Sequence, residues 1–204
     1  MRLPREVVVG DESLRLVGDV CRSLGFTKSA LVITGPTTIR VAGERIINLL
    51  REEGLEVHCH IVSSSSATLD DVKEAEEKIK TCRPQVVFGV GGGTKIDIAK
   101  LSSSYQGVPF ISVPTTASHD SMASPFASIK GMGRPYSIKA QSPIAVIADT
   151  SIIMSAPYRF TASGCGDVLS KITSTRDWKL APEKREEYYA QYASSLASMS
   201  AKHV

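Results

Sequence analysis

Residues 86–100, Val86-Val87-Phe88-Gly89-Val90-Gly91-Gly92-Gly93-Thr94-Lys95-Ile96-Asp97-Ile98-Ala99-Lys100, constrain this chain more than any other stretch. An apolar run short enough for a buried strand meets three consecutive glycines and then a helical pattern of Ile96, Ala99 and Leu101. Consecutive glycines let the backbone turn sharply and approach a ligand without Cβ interference. The first turn of a helix leaves N–H groups unpaired and directs its positive dipole end outward. Strand, glycine turn and helix start together make an anion site, most often for phosphate. The spacing matches neither G-x-G-x-x-G nor G-x-x-x-x-G-K-[ST]. A ligand-free tight turn rarely needs three glycines, which favours phosphate binding over a purely structural turn.

The segments before this turn alternate between strand and helix patterns. Glu6–Val9 reads as a short strand, and Asp11–Leu24, with Leu14, Val17, Cys21 and Leu24 in phase, as a helix closed by Gly25. Ala30–Thr34 is a buried strand ending at Gly35-Pro36, Ile39–Leu50 a helix stopped by Gly54, and Glu56–Val62 a further strand. Thr68 and Asp71 approximate a capping box for a helix running to about Cys82. Short connections between alternating elements imply an α/β fold, a Rossmann-like, mostly parallel sheet with helices on both faces. Ligands in such sheets bind beyond the carboxyl ends of the strands, where the Gly91–Gly93 turn falls.

Val108–Val113 reads as another strand, leading into Val113-Pro114-Thr115-Thr116-Ala117-Ser118-His119-Asp120-Ser121-Met122-Ala123-Ser124-Pro125. Hydroxyls, a histidine and a carboxylate thus gather at the same sheet edge as the glycines, which points to a substrate or cofactor role. Ala127–Ala140, with Gly131-Met132-Gly133 inside it, reads as a hairpin, and Pro143–Ala148 as a strand. Ser163-Gly164-Cys165-Gly166-Asp167 is read as introducing a helix, and Glu183 to about Val204 as the last helix, with Tyr188, Tyr189, Tyr192, Leu196 and Met199 on one face. That uncapped apolar face suggests a second, helical domain cut short. The expected division is 1–160, a nucleotide-binding α/β domain, and 161–204, the start of a truncated all-helical metal and substrate domain.

Composition excludes several function classes. A formal net charge of +3 is too small to indicate nucleic acid, and no basic cluster compensates. The apolar runs fall far short of the roughly 20 residues of a membrane span, so no membrane insertion is expected. No signal-peptide core follows the N-terminus, which leaves a cytoplasmic location as the expectation. The four cysteines, Cys21, Cys59, Cys82 and Cys165, form no C-x-x-C pair and fit buried thiols in a reducing compartment. His58-Cys59-His60 looks like a metal triplet, but in a strand Cys59 points opposite to both histidines. An ordinary strand is the better reading.

The motifs resemble those of the sn-glycerol-1-phosphate dehydrogenase family. It sits in the superfamily that also holds iron-type alcohol dehydrogenases, glycerol dehydrogenases and dehydroquinate synthases. The superfamily signature G-G-G-x-x-x-D-x-A-K stands here as Gly91 to Lys100. The subfamily mark is Val113-Pro114-Thr115-Thr116-Ala117-Ser118-His119-Asp120 with Ala123-Ser124-Pro125 and Ala127-Ser128-Ile129. Gly164-Cys165-Gly166-Asp167 matches the place of the family's first zinc ligand, and the likeness covers all 204 residues.

The resemblance implies reduction of dihydroxyacetone phosphate by NADH or NADPH to sn-glycerol-1-phosphate, the glycerol backbone of archaeal-type membrane lipids. It implies cofactor contacts at Gly92, Gly93, Thr94, Lys95, Ile96, Asp97, Thr115, Thr116, Ala117, Ser118 and Ser124. Asp120 and Asp167 would be catalytic and would bind substrate, with Asp167 also a zinc ligand. A homo-oligomer is favoured. His119 either relays a proton or stays hydrogen-bonded in the loop. Cofactor choice has a local argument: Gly35-Pro36-Thr37-Thr38, with Arg40 close behind, offers no carboxylate where NAD-selective chains commonly place one. NADPH is therefore expected to serve at least as well as NADH, and an Asp at Thr37 or Thr38 to weaken NADPH more.

Catalytic zinc generally takes three protein ligands. Of the histidines, His58 and His60 lie in one strand, His119 in the substrate loop and His203 at the end. The 204 residues are therefore expected to be a fragment that binds nucleotide but is nearly inactive. Two alternatives stand beside this reading: a glycerol dehydrogenase or dehydroquinate-synthase-like enzyme on the same scaffold, and a nucleotide-binding module without catalysis.

Overall fold

The structure, a computed structural model, describes residues 3–131, 134–185 and 188–202. The chain forms two compact units, Met1–Thr116 with Ser121–Ala156, and Ala117–Asp120 with Pro157–Val204.

The first unit is built on six parallel strands: β1 (Glu6–Gly10), β2 (Ser29–Thr34), β3 (Glu56–Ile61), β4 (Val86–Gly91), β5 (Phe110–Pro114) and β8 (Ala145–Asp149). Their spatial order is β1-β8-β5-β4-β2-β3, and every pair is parallel. Alternation along the strands divides their side chains between two cores. One joins Ala30, Val32, Val86, Phe88, Val90 and Ile111 to residues of the helical segments α1 (Val17–Ser23) and α2 (Glu44–Glu52). The other joins Leu31, Ile33, Val87 and Phe110 to residues of α3 (Leu69–Cys82) and α4 (Gly93–Tyr105). Both faces of the sheet are covered, as the continuous apolar character of its central strands requires. An antiparallel hairpin of β6 (Phe126–Gly131) and β7 (Arg134–Lys139) adds Ala127 and Ile129 to the second core. Met132 and Gly133, at the expected hairpin turn, lie outside the described residues.

Local chemistry explains most boundaries. Gly25 at φ 78° and Gly54 at φ 83° follow α1 and α2 in left-handed conformations that suit glycine. The Thr68 hydroxyl accepts from the Asp71 amide while the Asp71 carboxylate accepts from the Thr68 amide at 3.0 Å, completing the capping box of α3. Gly89, inside β4, admits both the Phe110 ring and Ala99: a Cβ there would lie 2.7 Å from the ring and 2.9 Å from the Ala99 methyl. Residue 89 therefore sets how closely α4 lies on the sheet.

Several elements differ from the sequence reading. The helix expected over 11–24 opens as a 3-10 turn, Ser13–Leu16, after Glu12 in a left-handed conformation at φ 51°. The helix expected from Ile39 starts as a π turn, Ile39–Gly43, where the missing side chain of Gly43 leaves room for Ile39. A short helix, α5 (Thr150–Ser155), follows β8 because Asp149 caps it.

The second unit is helical, with α6 (Tyr158–Arg185) and α7 (Gln191–Ala201). Ser163–Asp167 lies within α6 rather than ahead of it, and α6 continues through Pro182. The single last helix expected from Glu183 is instead split, because the Trp178 indole donates to the Tyr188 carbonyl at 2.8 Å and packs edge-on to Tyr189. Glu186, Glu187, His203 and Val204 lie outside the described residues.

Asp149 is 1% exposed and illustrates the cost of an interior carboxylate. Burial pushes its pKa up, but the Ser151 hydroxyl and the amides of Leu14 and Ile152 outweigh that effect and hold it below its ordinary value. A depressed folded pKa contributes stability that is complete above the unfolded value of about 3.9 and lost as pH falls through the folded one. Asp149→Asn should lower the urea midpoint at pH 7 and flatten its decline between pH 5 and 2. Parallel midpoint-against-pH curves for the two proteins would contradict this assignment.

Candidate functional site

The site begins where β4 ends. Gly91 has φ 153°, and a Cβ there would come within 2.9 Å of the Lys95 side chain. Gly92 caps α4 in an extended conformation, and a Cβ on it would meet the Thr116 hydroxyl at 3.3 Å. No side chain caps α4 and its first turn carries no acid. The helix therefore presents its amides and positive dipole end through a surface kept bare by glycine. This cradle has the chemistry of an anion site, phosphate above all.

The expected contact residues divide by location. Gly92, Gly93 and Thr94 form the start of α4, and the Thr94 hydroxyl donates to the Ser65 carbonyl at 3.4 Å. Thr115 donates its amide to the Gly91 carbonyl at 3.0 Å, joining the exit of β5 to the glycine turn. Ser124 is half-buried and accepts from the Phe126 amide at 3.2 Å. Lys95 lies along the sheet edge, with its ammonium 2.5 Å from the Ser64 carbonyl. Two residues turn inward instead. Ile96 belongs to the core, and Asp97 is 3% exposed.

Asp97 is one half of a buried ion pair. Its carboxylate accepts from Lys100 at 3.2 Å, from the Ser121 hydroxyl and from the Ser128 amide at 3.1 Å. The Lys100 side chain is fully buried, and its ammonium also donates to the Ser121 hydroxyl at 3.2 Å and the Phe126 carbonyl at 2.6 Å. The pair ties α4 to the segment 121–128, which contains Ser124. Lys100 stands within the signature Gly91 to Lys100, and its structural role comes from this pairing. The signal was present: charges three residues apart inside an otherwise apolar helix, Ile96, Ile98, Ala99 and Leu101.

The second unit holds the acidic group. The Asp120 amide donates to the Asp167 carboxylate at 3.1 Å, and Lys171 lies 3.3 Å from Asp120 and 3.7 Å from Asp167. Lys171, not anticipated from sequence, offsets the charge of two neighbouring carboxylates. Gly164 costs α6 about 1 kcal/mol relative to Ala, and a close backbone contact requires it. A Cβ at Gly164 would stand 1.9 Å from the Ala117 carbonyl oxygen, so only glycine lets residues 117–120 lie against α6. Ala117, Ser118, His119 and Asp120 belong to this unit.

Metal binding is less complete. Among the described residues no three His, Cys, Asp or Glu side chains converge on a point that could hold a metal ion. Asp120 and Asp167 are two carboxylates, short of the three protein ligands of a catalytic zinc, so the described residues do not by themselves fit one. His58 and His60 lie in β3, with His58 3.1 Å from Glu56. All four cysteines are free, and burial pushes the Cys21 thiol up to about 12, with Arg22 opposing.

Three comparisons bear on these observations. The family model described as iron-containing alcohol dehydrogenase matches residues 8–157. A Methanosarcina barkeri protein named glycerol-1-phosphate dehydrogenase [NAD(P)+] is 48% identical over 202 residues, covering 99% of this chain and 56% of its own. A Pyrococcus furiosus protein of the same name is 48% identical over 204 residues, covering 100% and 58%. This chain thus spans somewhat over half the length of these curated relatives. Among solved structures, glycerol dehydrogenase from Schizosaccharomyces pombe superimposes with a TM-score of 0.78 at 28% identity, over 87% of this chain and 45% of that one. A probable glycerol dehydrogenase from Sinorhizobium meliloti gives 0.83 at 21% identity, over 98% and 55%, a likeness of fold.

Removing one member of a buried ion pair leaves the other charged and unpaired, at a cost of about 3–5 kcal/mol. Lys100→Met should lose stability on that scale in urea denaturation, and Asp97→Leu combined with Lys100→Met should recover part of it. A single variant as stable as the parent would show that the pair does not hold α4 to segment 121–128.

Proposed function

The chain belongs to the iron-containing alcohol dehydrogenase family, and from that membership we propose that the protein reduces dihydroxyacetone phosphate to sn-glycerol-1-phosphate with NADPH or NADH. The observation that carries this reading is the uncapped, acid-free start of α4 in its glycine cradle. The names of the relatives support the choice of reaction within the family. The product would serve as the glycerol backbone of archaeal-type membrane lipids. Among the described residues no helix is long and apolar enough to cross a membrane. A cytoplasmic homo-oligomer is part of the proposal.

In this reading residues 1–160 bind nucleotide and 161–204 begin the helical metal and substrate domain. The amides of Gly92, Gly93 and Thr94 hold the pyrophosphate, and Thr115, Thr116, Ala117, Ser118 and Ser124 line the cofactor. Asp97 acts behind that surface, positioning segment 121–128, and Ile96 packs beneath it. Bound NADPH or NADH supplies the hydride that adds to the ketone carbon of the substrate, while a proton adds to its oxygen. Asp120 contacts the substrate and Asp167 approaches its oxygens, and Lys171 keeps the two carboxylates compatible at close range. Zinc is the metal the resemblance implies, with Asp167 as the ligand from this stretch.

The glycerol dehydrogenase alternative rests on the Schizosaccharomyces pombe structure. NADPH oxidation with dihydroxyacetone phosphate, measured with and without added zinc on the longest product of the gene, separates the two. The proposal expects turnover that fails with unphosphorylated dihydroxyacetone. Activity on glycerol with none on the phosphorylated ketone would move the protein to the alternative. For cofactor choice, Thr37 is exposed, whereas the Thr38 hydroxyl is held by Thr34 at 2.8 Å and the Gly35 amide at 2.9 Å. Thr37→Asp should raise KM for NADPH about tenfold more than for NADH, the scale of one charge-assisted contact. An unchanged ratio would refute the local argument.

A further inference from the structure

The sheet order places β3 on one side of β2 and the next strand in sequence, β4, on the other. The crevice at such a reversal, beyond the carboxyl ends of the strands, is where open α/β sheets take their ligands. Here β2 and β4 lead into Gly35 and Gly91, and the Lys95 side chain lies over both, with the Thr38 hydroxyl 3.3 Å from each Cβ position. A Cβ on Gly35 would lie 2.6 Å from the Lys95 Cε, and one on Gly91 2.9 Å from its Cγ. The absence of side chains at these two positions makes the path along which the Lys95 stem crosses the crevice.

The ammonium at the end of that path is under-compensated. It donates to the Ser64 carbonyl at 2.5 Å, whereas an ammonium has three donors. No carboxylate among the described residues lies within ion-pair distance of it. Asp71, which acts on it from further away, is itself occupied by the Thr68 and Ser64 hydroxyls at 2.6 and 2.7 Å. Desolvation pulls the Lys95 pKa down, with Asp71 opposing. A half-buried cation with spare donors at the mouth of a ligand crevice is stabilised by an anion.

The residues after β2 are those that face the ribose 2′ position in dinucleotide-binding sheets, where a carboxylate favours a hydroxyl and a cation admits a phosphate. We propose that Lys95 is a specificity-determining residue of this crevice, its ammonium receiving the adenosine 2′-phosphate of NADPH beside Gly35. This assignment rests on the nicotinamide-cofactor reading and deepens it. The 2′-phosphate would supply the acceptors the ammonium lacks, while Thr37 and Thr38 present no competing charge.

The test is calorimetric binding of 2′,5′-ADP and of 5′-AMP, which differ in the 2′-phosphate alone, to the unaltered chain and to Lys95→Met, Lys95→Gln and Lys95→Arg. Lys95→Met and Lys95→Gln should weaken 2′,5′-ADP about tenfold or more and leave 5′-AMP unchanged, while Lys95→Arg retains most of the 2′,5′-ADP affinity. Equal weakening of both probes would place the ammonium on the 5′-phosphate and overturn the assignment, as would no weakening of either. If one neutral variant fails to fold by circular dichroism, the other carries the same comparison. Failure of the unaltered chain to bind either probe would instead refute the nicotinamide reading, and the assignment with it.

Discussion

The buried pair of Asp97 and Lys100 is the interaction on which the attachment of segment 121–128 to α4 depends. Two opposite charges inside a helix core are costly unless each is fully hydrogen-bonded, and here both are. Asp97 takes Lys100, Ser121 and the Ser128 amide, and Lys100 takes Asp97, Ser121 and the Phe126 carbonyl. Hydrophobic packing would hold α4 on the sheet without them. What the polar contacts add is direction: segment 121–128 is attached to the second and third turns of α4, in one register.

Glycine does three different jobs around that frame. Gly89 lets the Phe110 ring and Ala99 meet across β4, which brings α4 close to the sheet. Gly91 and Gly92 keep the start of α4 bare, and Gly164 admits the Ala117 carbonyl against α6. A Cβ at Gly89 or Gly164 would clash outright, one at Gly91 or Gly92 would crowd Lys95 or Thr116, and each position borders a segment that the proposed chemistry uses. The site is therefore set as much by missing side chains as by present ones.

Much of this was legible in the sequence. Short continuous apolar runs marked β2 and β4, the Thr68–Asp71 spacing marked the capping box, and the three glycines marked the turn from β4 into α4. What was not legible depended on contacts between distant segments. Ser163–Asp167 reads as a helix lead-in because glycines disfavour helices, and the close approach of Ala117 explains why α6 keeps Gly164, while nothing crowds Gly166. The split before α7 follows from Trp178 reaching the Tyr188 carbonyl, a contact that periodicity does not encode. Lys95 and Asp97 stand two residues apart at the start of one helix, yet one lies along the open edge and the other faces the core. A helical turn separates their directions by about 200°, but which of the two faces the core depends on where α4 meets the sheet.

The central claim is that the turn at Gly91–Gly93 holds the pyrophosphate of a nicotinamide dinucleotide. The most direct measurement is a crystal structure of the chain with NADPH bound. The account predicts pyrophosphate oxygens at about 2.7–3.2 Å from the amides of Gly92, Gly93 and Thr94. A nucleotide bound with its phosphates away from the start of α4 would contradict it.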